Sequence, residues 1–360
     1  MAGVYISYPF CNQKCSFCNF ASGVYQPSSR SRYEQALLKE IVSHKWDTPP
    51  DTVYFGGGTP SLMASDLLDD IMRAIPYESL CEVTLECAPG TITGEKVSRW
   101  VQASINRVSL GVQSFNITEL RATGRRHTAE EVKSDLALLR SAGINNINLD
   151  LIAGLPHQTR ESWNESLDWI ERLDAPHVSI YIFEIDEDSR LGQEVLLGGN
   201  RYSARTLPDE ELTAELYQTA VDRLARNGWE RYEISNFARP GWQSRHNLKY
   251  WQLEPYIGFG LDAHSFDGRY RWSNPDALDE YLCSDKPPLK EKVNRLEERF
   301  FVGLRLMNGI TPTPEERRKF AEPISKWVNA GMLEEDGNAL RLSPQSILLS
   351  NEILQDFIQL

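Results

Sequence analysis

The stretch GVYISYPFCNQKCSFCNF, residues 3–20, decides the fold class of this chain. A short apolar run typical of a buried strand leads directly into Cys11, Cys15 and Cys18, which have C-x3-C-x2-C spacing. A cubane iron–sulfur cluster is ordinarily held by four thiolates, so three thiolates would leave one iron free for another ligand. The three cysteines therefore indicate a cluster with an open position. A zinc site, which usually takes four ligands, and chance clustering are the alternatives.

Short runs rich in Val, Ile, Leu, Tyr and Phe recur over the first half of the chain, as in buried strands. The pieces between them have helical spacing, as at Val132, Leu136 and Leu139. The runs give six βα units, fewer than the eight that close a full barrel. The sequence therefore predicts an α/β fold built on a partial (β/α)6 barrel. The predicted strands are residues 4–7, 52–55, 82–86, 107–112, 147–151 and 178–183.

The second half of the chain changes in character, which predicts an α+β extension and a small C-terminal domain. Residues 209–228 have the spacing of one more amphipathic helix. Residues 239–288 are aromatic and irregular. A helix around residues 315–330, followed by a hairpin that turns at Asp336 and Gly337, favours a winged-helix-like tail. The predicted division is a core at 1–235, an aromatic-rich extension at 236–290 and a C-terminal domain at 291–360.

Composition limits the class of protein. The 360 residues carry a formal net charge of −13, and 41% of them are hydrophobic. No run approaches the roughly 18 apolar residues of a membrane span, and the first residues do not resemble a signal peptide, so we expect a cytoplasmic protein. The negative charge argues against a general nucleic-acid binder, because phosphate neutralisation needs a basic surface. Cys81, Cys87 and Cys283 are scattered, which does not indicate a disulfide framework.

Polar features follow most of the predicted strands at the point where each strand ends. The cysteines follow the first strand, Gly56-Gly57-Gly58-Thr59 follows the second, and Glu86, Gln113 and Asp150 lie at or near the ends of the next three. In βα folds these strand ends share one rim, where ligands bind. Taken alone, the glycines favour an ordinary tight turn, and Glu86 fits an exposed strand end equally well. The set together predicts one site.

Several motifs resemble those of a known family. The segment CNQKCSFC, with an aromatic residue before its last cysteine, and the later GGGTP resemble the radical S-adenosylmethionine (SAM) superfamily. The segments YISYPFC, YFGGGTPS, LECAPGT, SLGVQSF and NLDLIAGLP occur in the order found in its oxygen-independent coproporphyrinogen III oxidase-like branch. The resemblance covers nearly the whole chain, including the tail. It implies a partial (β/α)6 radical SAM barrel and a C-terminal domain of the HemN type.

The resemblance also implies cofactors and the residues that hold them. Cys11, Cys15 and Cys18 would ligate a [4Fe–4S] cluster, and SAM would chelate the fourth iron through its amino and carboxylate groups. Arg125, which taken alone is more typical of a solvated helix surface, would bind a carboxylate. An electron donor is implied if SAM is cleaved. The implied SAM contacts are Tyr5, Phe17, Gly57, Gly58, Thr59, Glu86, Gln113, Arg125 and Asp150.

Two features separate the subgroups of this branch. The decarboxylating oxidases carry a further cysteine at the position of Phe20 and an extension before the first strand. The haem chaperone family HemW resembles this chain at both points and has the motif H-N-x-x-Y-W, found here at 246–251. The resemblance implies a chaperone that binds haem through His246 and delivers it to acceptor haemoproteins such as respiratory cytochromes. His264, in GLDAHSF, is a weaker candidate, either as a second haem contact or in a structural role.

Alternatives stay open at this point. One is that His246 only caps a turn, with Tyr250 and Trp251 in the core. Another is a radical SAM enzyme that decarboxylates coproporphyrinogen III or transfers a methyl group. The histidines at 44, 127, 157 and 177 fit surface or helix-end positions. Peripheral membrane contact and a homodimer are further expectations that the residues leave undecided.

Overall fold

Parallel strands linked by helices build the first half of the chain in the computed structural model, which describes residues 1–283 and 287–358. The strands are β1 Gly3–Tyr8, β2 Thr52–Gly57, β3 Glu82–Cys87, β4 Arg107–Gln113, β5 Asn146–Ala153 and β6 His177–Ile182. The helices are α1 Pro27–Ser43, α2 Ser65–Ala74, α3 Gly94–Gln102, α4 Ile117–Ala122, α5 Ala129–Ser141 and α6 Arg160–Leu173. β1 to β6 pair in parallel in sequence order, which confirms the predicted partial barrel.

The middle of the chain adds strands to both edges of this sheet. Its elements are α7 Arg190–Leu196, α8 Glu210–Arg226, β7 Glu230–Arg231, β8 Asn236–Ala238, α9 Arg245–Trp251, β9 Tyr256–Phe259, β10 His264–Phe266, β11 Tyr270–Ser273, α10 Leu278–Cys283 and β12 Glu291–Lys292. β8 pairs antiparallel with β6, while β9 pairs parallel with β1 and carries β10, β11 and β12 beyond it. The predicted boundaries at 235 and 290 both fall between paired strands and stay predictions.

The last part of the chain has the predicted helix and hairpin. Its elements are α11 Arg295–Gly303, α12 Pro314–Lys319, α13 Ala321–Asn329, β13 Leu333–Asp336, β14 Ala339–Leu342 and α14 Ser350–Gln355. The hairpin turns at Gly337, whose φ is +60°, as predicted. Phe300, Phe320 and Phe357 form its aromatic core, with ring centroids 4.4 and 5.0 Å from Phe300. The winged-helix-like arrangement stays a prediction, and residues 284–286 and 359–360 of the predicted ranges lie outside the described residues.

The two faces of the barrel strands differ in polarity because successive side chains point to opposite sides of a sheet. In β4 the residues Val108, Leu110 and Val112 belong to the hydrophobic core, whereas Ser109 and Gln113 line a cavity inside the barrel. The core therefore lies between the sheet and its helices, and the lumen is polar.

The short helix α9 closes the end of the barrel at which the strands begin. Glu82, at the start of β3, accepts hydrogen bonds from Ser244 Oγ at 3.0 Å, Arg245 N at 2.9 Å and His246 N at 3.0 Å. A carboxylate at a helix N-terminus satisfies amide donors that have no partner within the helix. α9 is therefore fixed opposite the end where the predicted site lies. Among the described residues, no helix is long and apolar enough to cross a bilayer.

Candidate functional site

The loops that leave the carboxyl ends of the barrel strands surround a cavity of about 550 Å³. Parallel strands bring these loops to one rim, which explains why residues far apart in the sequence meet here. Tyr5 lies in an adjoining cavity instead. The predicted cluster and SAM residues that line the larger cavity are Cys11, Cys15, Phe17, Cys18, Gly57, Gly58, Thr59, Glu86, Gln113, Arg125 and Asp150.

The cysteine loop is closed by backbone hydrogen bonds. Cys11 N donates to Gly23 O at 2.9 Å, and Gly23 N donates to Pro9 O at 2.9 Å, so the two ends of the loop are held side by side. The thiols of Cys11, Cys15 and Cys18 are free and partly buried. Burial raises the pKa of the Cys11 thiol, which favours the thiol over the thiolate until a metal binds.

Three thiolates are the donors that an iron–sulfur cluster takes. Within residues 1–283 and 287–358, no three His, Cys, Asp or Glu side chains are close enough together to hold one metal ion. The cluster and the zinc alternative both stay predictions.

The glycines after β2 allow two loops to approach closely. Gly58 N donates to Tyr8 O at 2.9 Å, and a Cβ on Gly58 would lie 2.7 Å from the carbonyl carbon of Pro9 and 3.0 Å from Cys11 Sγ. Gly57 has a φ of +106°, which side chains other than glycine rarely adopt. These glycines therefore bring backbone amides against the cysteine loop and form more than an ordinary tight turn.

Two partly buried carboxylates face the cavity from β3 and β5. Tyr54 donates to Glu86 Oε1 at 2.8 Å, and Asn148 donates to Asp150 Oδ1 at 2.6 Å. Burial raises the pKa of Glu86 to about 7 and also raises the pKa of Asp150. Repulsion from Asp150 contributes to the raised pKa of Glu86. The buried guanidinium of Arg107 attracts both carboxylates and opposes this rise in pKa, but burial is the larger effect, so their ionised forms remain unfavourable. A cationic ligand would relieve this cost.

Cationic and neutral nitrogen donors also line the cavity. Arg125 donates from Nη1 to Gly111 O at 2.6 Å, while its Nε is buried without a partner among the described residues. His127 Nε2 is buried without a partner in the same sense, and burial lowers the pKa of His127 to about 4. His127 does lie at a helix end, directly before Thr128, the N-cap of α5, but its side chain is buried, so a surface position is wrong. The signal that could have found it is its place in GRRH, close to Arg125.

The polar lumen below the cavity was also missed by the sequence interpretation. Arg107, at the start of β4, is 1% exposed, and its Nε has no partner in the described part of the chain. His177 is fully buried and contacts Asn148 Oδ1 at 2.6 Å and Tyr232 OH at 2.9 Å, so it is not a surface residue either. Polar residues at alternate positions within predicted strands were the available signal.

His246 lies at the far end of the barrel from the cysteines. Its Nδ1 is 2.9 Å from Thr52 Oγ1 at the start of β2, and its Nε2 is 2.8 Å from Tyr250 OH. The six residues from Thr52 to Gly57 make five steps, which span about 16 Å at the usual rise of a strand. His246 is 1% exposed. The structure thus does not bring the predicted haem ligand to the rim, and both ring nitrogens already have partners.

A second cavity of about 340 Å³ adjoins the first. The two share Gly57 and Phe20 in their walls. Tyr5 lines the second cavity and stacks on Tyr54, with ring centroids 6.0 Å apart. The predicted SAM contact Tyr5 is therefore placed beside the main cavity and not within it. His264 also lines this second cavity.

A segment after β6 covers the cysteine loop, which the sequence did not indicate. Leu191 N donates to Ser16 O at 2.8 Å, and Asn19 Nδ2 donates to Asp186 Oδ2 at 2.6 Å. These contacts join parts of the chain about 170 residues apart and hold the segment against the cysteine loop.

Known proteins resemble this chain in sequence and in fold. Residues 5–170 match the Radical SAM superfamily. The heme chaperone HemW of Lactococcus lactis is 31% identical over 373 residues, which cover 98% of this chain and 96% of that protein. The heme chaperone HemW of Haemophilus influenzae is 34% identical over 383 residues, which cover 99% and 97%. The solved structure of coproporphyrinogen III oxidase (HemN) from Escherichia coli superposes with a TM-score of 0.86 over 99% of this chain and 89% of that chain, at 21% identity.

Proposed function

Because the chain belongs to the haem chaperone HemW family, within the oxygen-independent coproporphyrinogen III oxidase-like branch of the radical SAM superfamily, we propose that it binds haem and delivers it to acceptor haemoproteins. The observation that carries the proposal is the similarity to HemW proteins along nearly the full length of both chains. Phe20, exposed at the cavity mouth where the oxidases have a cysteine, supports it.

We also propose a [4Fe–4S] cluster and SAM as resident cofactors, which membership of the superfamily implies. Cys11, Cys15 and Cys18 would hold the cluster. When bound and reduced by an electron donor, the cluster supplies the electron that cleaves SAM. The polar side chains of the cavity would position SAM without taking part in that electron transfer.

The electrostatics of the cavity suit SAM. SAM carries a sulfonium, an ammonium and a carboxylate. Glu86 and Asp150 present the negative charge that its cationic groups need, and Arg125 offers a guanidinium to the carboxylate. Gln113, whose φ is +69°, is held in a strained backbone conformation at the same wall, which is typical of ligand contacts. Gly57, Gly58 and Thr59 would let the ligand approach the backbone.

A radical SAM enzyme is the second candidate. The retained carboxylates and Arg125 favour it, because carrying haem alone does not require a complete SAM cavity. The reactions would be oxidative decarboxylation of coproporphyrinogen III or SAM-dependent methyl transfer. Phe20 argues against the first, since it replaces the oxidase cysteine. Acceptors such as respiratory cytochromes, a cytoplasmic location, peripheral membrane contact, a homodimer and haem binding through His246 stay predictions.

An anaerobic haem titration of the cluster-reconstituted protein, followed by Soret absorbance, tests the chaperone proposal. We expect saturable binding of one haem for each chain or dimer. Failure to bind haem would contradict the proposal. In parallel, incubation of the reduced protein with SAM and coproporphyrinogen III tests the enzyme candidate. Formation of deoxyadenosine together with protoporphyrinogen would favour the enzyme over the chaperone.

A further inference from the structure

The second cavity has the composition of a porphyrin site. Its wall contains Tyr5, Tyr250, Tyr256, Leu261 and the exposed ring of Phe20. Aromatic and aliphatic surfaces pack well against a flat macrocycle, and ligand cavities are typically apolar with few polar groups. The cavity of about 340 Å³ opens beside the cysteine loop. It would take part of a haem and leave an edge of the ring in solvent.

One histidine stands on this wall with a free face. The chain has six histidines, all within the described residues, and His264 is the one that lines the second cavity. Its side chain is 56% exposed. Asp262 Oδ1 lies 3.8 Å from His264 Nε2, within reach of a small ring rotation. A histidine that ligates a metal usually donates its other N–H to a carboxylate, which fixes the ring.

The loop that carries Asp262 is held in place. Asp262 has a φ of +55°, which is uncommon for a residue with a side chain. Asp262 N donates to Pro275 O at 2.9 Å, and Ala263 N donates to Gly260 O at 3.2 Å. Strained backbone that is fixed on both sides is typical of functional sites. The carboxylate is therefore positioned next to the exposed imidazole by the backbone.

The buried histidine is separated from the same cavity by a tyrosine. Tyr250 lines the second cavity, and its hydroxyl contacts Nε2 of His246, which does not line that cavity. The ring of Tyr250 also packs edge-on against His246, with centroids 5.3 Å apart. A haem that reached His246 Nε2 would first have to displace the hydroxyl of Tyr250. His246 is thus placed to hold Tyr250, which forms part of the cavity wall.

We propose that the haem cargo docks in this second cavity, that His264 ligates its iron with Asp262 as the orienting carboxylate, and that His246 acts as a positioning residue behind Tyr250. This inference rests on the proposed function, since it assigns a ligand for the haem that a chaperone would carry. It differs from the prediction made from the H-N-x-x-Y-W motif, which names His246 as the iron ligand.

The test is an anaerobic haem titration of His264→Ala, Asp262→Asn, His246→Ala and wild type, with Soret and electron paramagnetic resonance spectra. His157→Ala is the matched control, because His157 is exposed and lines neither cavity. We expect His264→Ala to lose the histidine-ligated spectrum, to bind about tenfold or more weakly, and to recover the spectrum when imidazole is added. Asp262→Asn should weaken binding by about tenfold and keep the histidine signature.

His246→Ala separates the two ligand assignments. We expect it to keep the histidine-ligated spectrum and to weaken haem binding in parallel with its loss of folding stability. The inference is overturned if His264→Ala keeps that spectrum, or if imidazole restores the spectrum of His246→Ala and not that of His264→Ala. A wild type that binds no haem would overturn the proposed function as well, whereas wild-type binding with an unchanged His264→Ala overturns the inference alone.

Discussion

Replacing Glu86 by Gln should stabilise the SAM-free protein at alkaline pH and weaken SAM binding. Burial raises the pKa of Glu86 from 4.5 to about 7, so the folded chain holds a proton that the unfolded chain releases between these values. The unfolding free energy therefore falls as pH rises through this window. With about 1.4 kcal/mol for each unit, ionised Glu86 costs about 3 kcal/mol by about pH 8. Gln keeps the acceptor for Tyr54 OH and removes the charge.

The assay is chemical denaturation of wild type and Glu86→Gln without SAM across this pH range. We expect the variant to be more stable by up to about 3 kcal/mol near pH 8 and to lose that advantage near pH 4, where both side chains are neutral. Glu165→Gln, at an exposed position on α6, should show no such difference. SAM binding followed by calorimetry should tighten with pH in wild type and less so in the variant.

Two results would refute this reasoning. A variant that is equally or less stable than wild type near pH 8 would show that Glu86 is not held in a cavity that disfavours its charge. If SAM binding depends on pH equally in wild type and in Glu86→Gln, the carboxylate does not face the cationic groups of SAM. The first result concerns the geometry of the cavity, and the second concerns the assigned ligand.

Three further predictions follow from particular contacts. Gly58→Ala should reduce iron and sulfide incorporation, because the added Cβ would clash with Pro9 and Cys11. The control Gly94→Ala has open space around its Cβ and should incorporate iron and sulfide normally. Equal cluster content in the two variants would contradict the prediction. Burial lowers the pKa of His246 to about 3, so below about pH 6.5 the unfolded chain binds a proton at His246 that the folded chain does not. The free energy of unfolding of wild type should therefore fall with falling pH, and urea unfolding of His246→Ala should show a smaller fall. Phe320→Ala should lower the free energy of unfolding by about 3 to 5 kcal/mol, because it removes a ring from the aromatic core of the tail. An unchanged free energy in chemical denaturation would show that this core is not formed.

The rim could be predicted because each of its features is local in the sequence. A strand and the loop that follows it are read from one stretch, and parallel pairing then brings Cys11, Gly58 and Glu86 to the same edge. The resemblance to a known family added Arg125, which alone would fit a helix surface. The structure places all four at one cavity.

The end of the barrel at which the strands begin could not be predicted in this way, because its structure depends on contacts between residues that are distant in the sequence. His246 meets Thr52 across 194 residues, and no pattern near either residue indicates the contact. Alternation within β4 predicts that Arg107 lies on the lumen face of the sheet. That its side chain is buried there depends on the rest of the fold, including α9, which closes this end of the barrel. The sequence does favour a strand at residues 232–237, which overlaps β8, but β7 and β12 were missed because each has only two residues.

The central claim is that this protein carries haem to an acceptor, and transfer tests it most directly. The cluster-reconstituted protein is loaded with one haem, and excess haem is removed. It is then mixed anaerobically with the apo form of a b-type cytochrome. After a set time the two proteins are separated, and the Soret spectrum of each is recorded. We predict that haem leaves this chain and appears in the cytochrome faster than when an equal amount is released from a non-specific carrier such as albumin. Haem that stays on this chain, or that moves no faster than from albumin, would contradict the account.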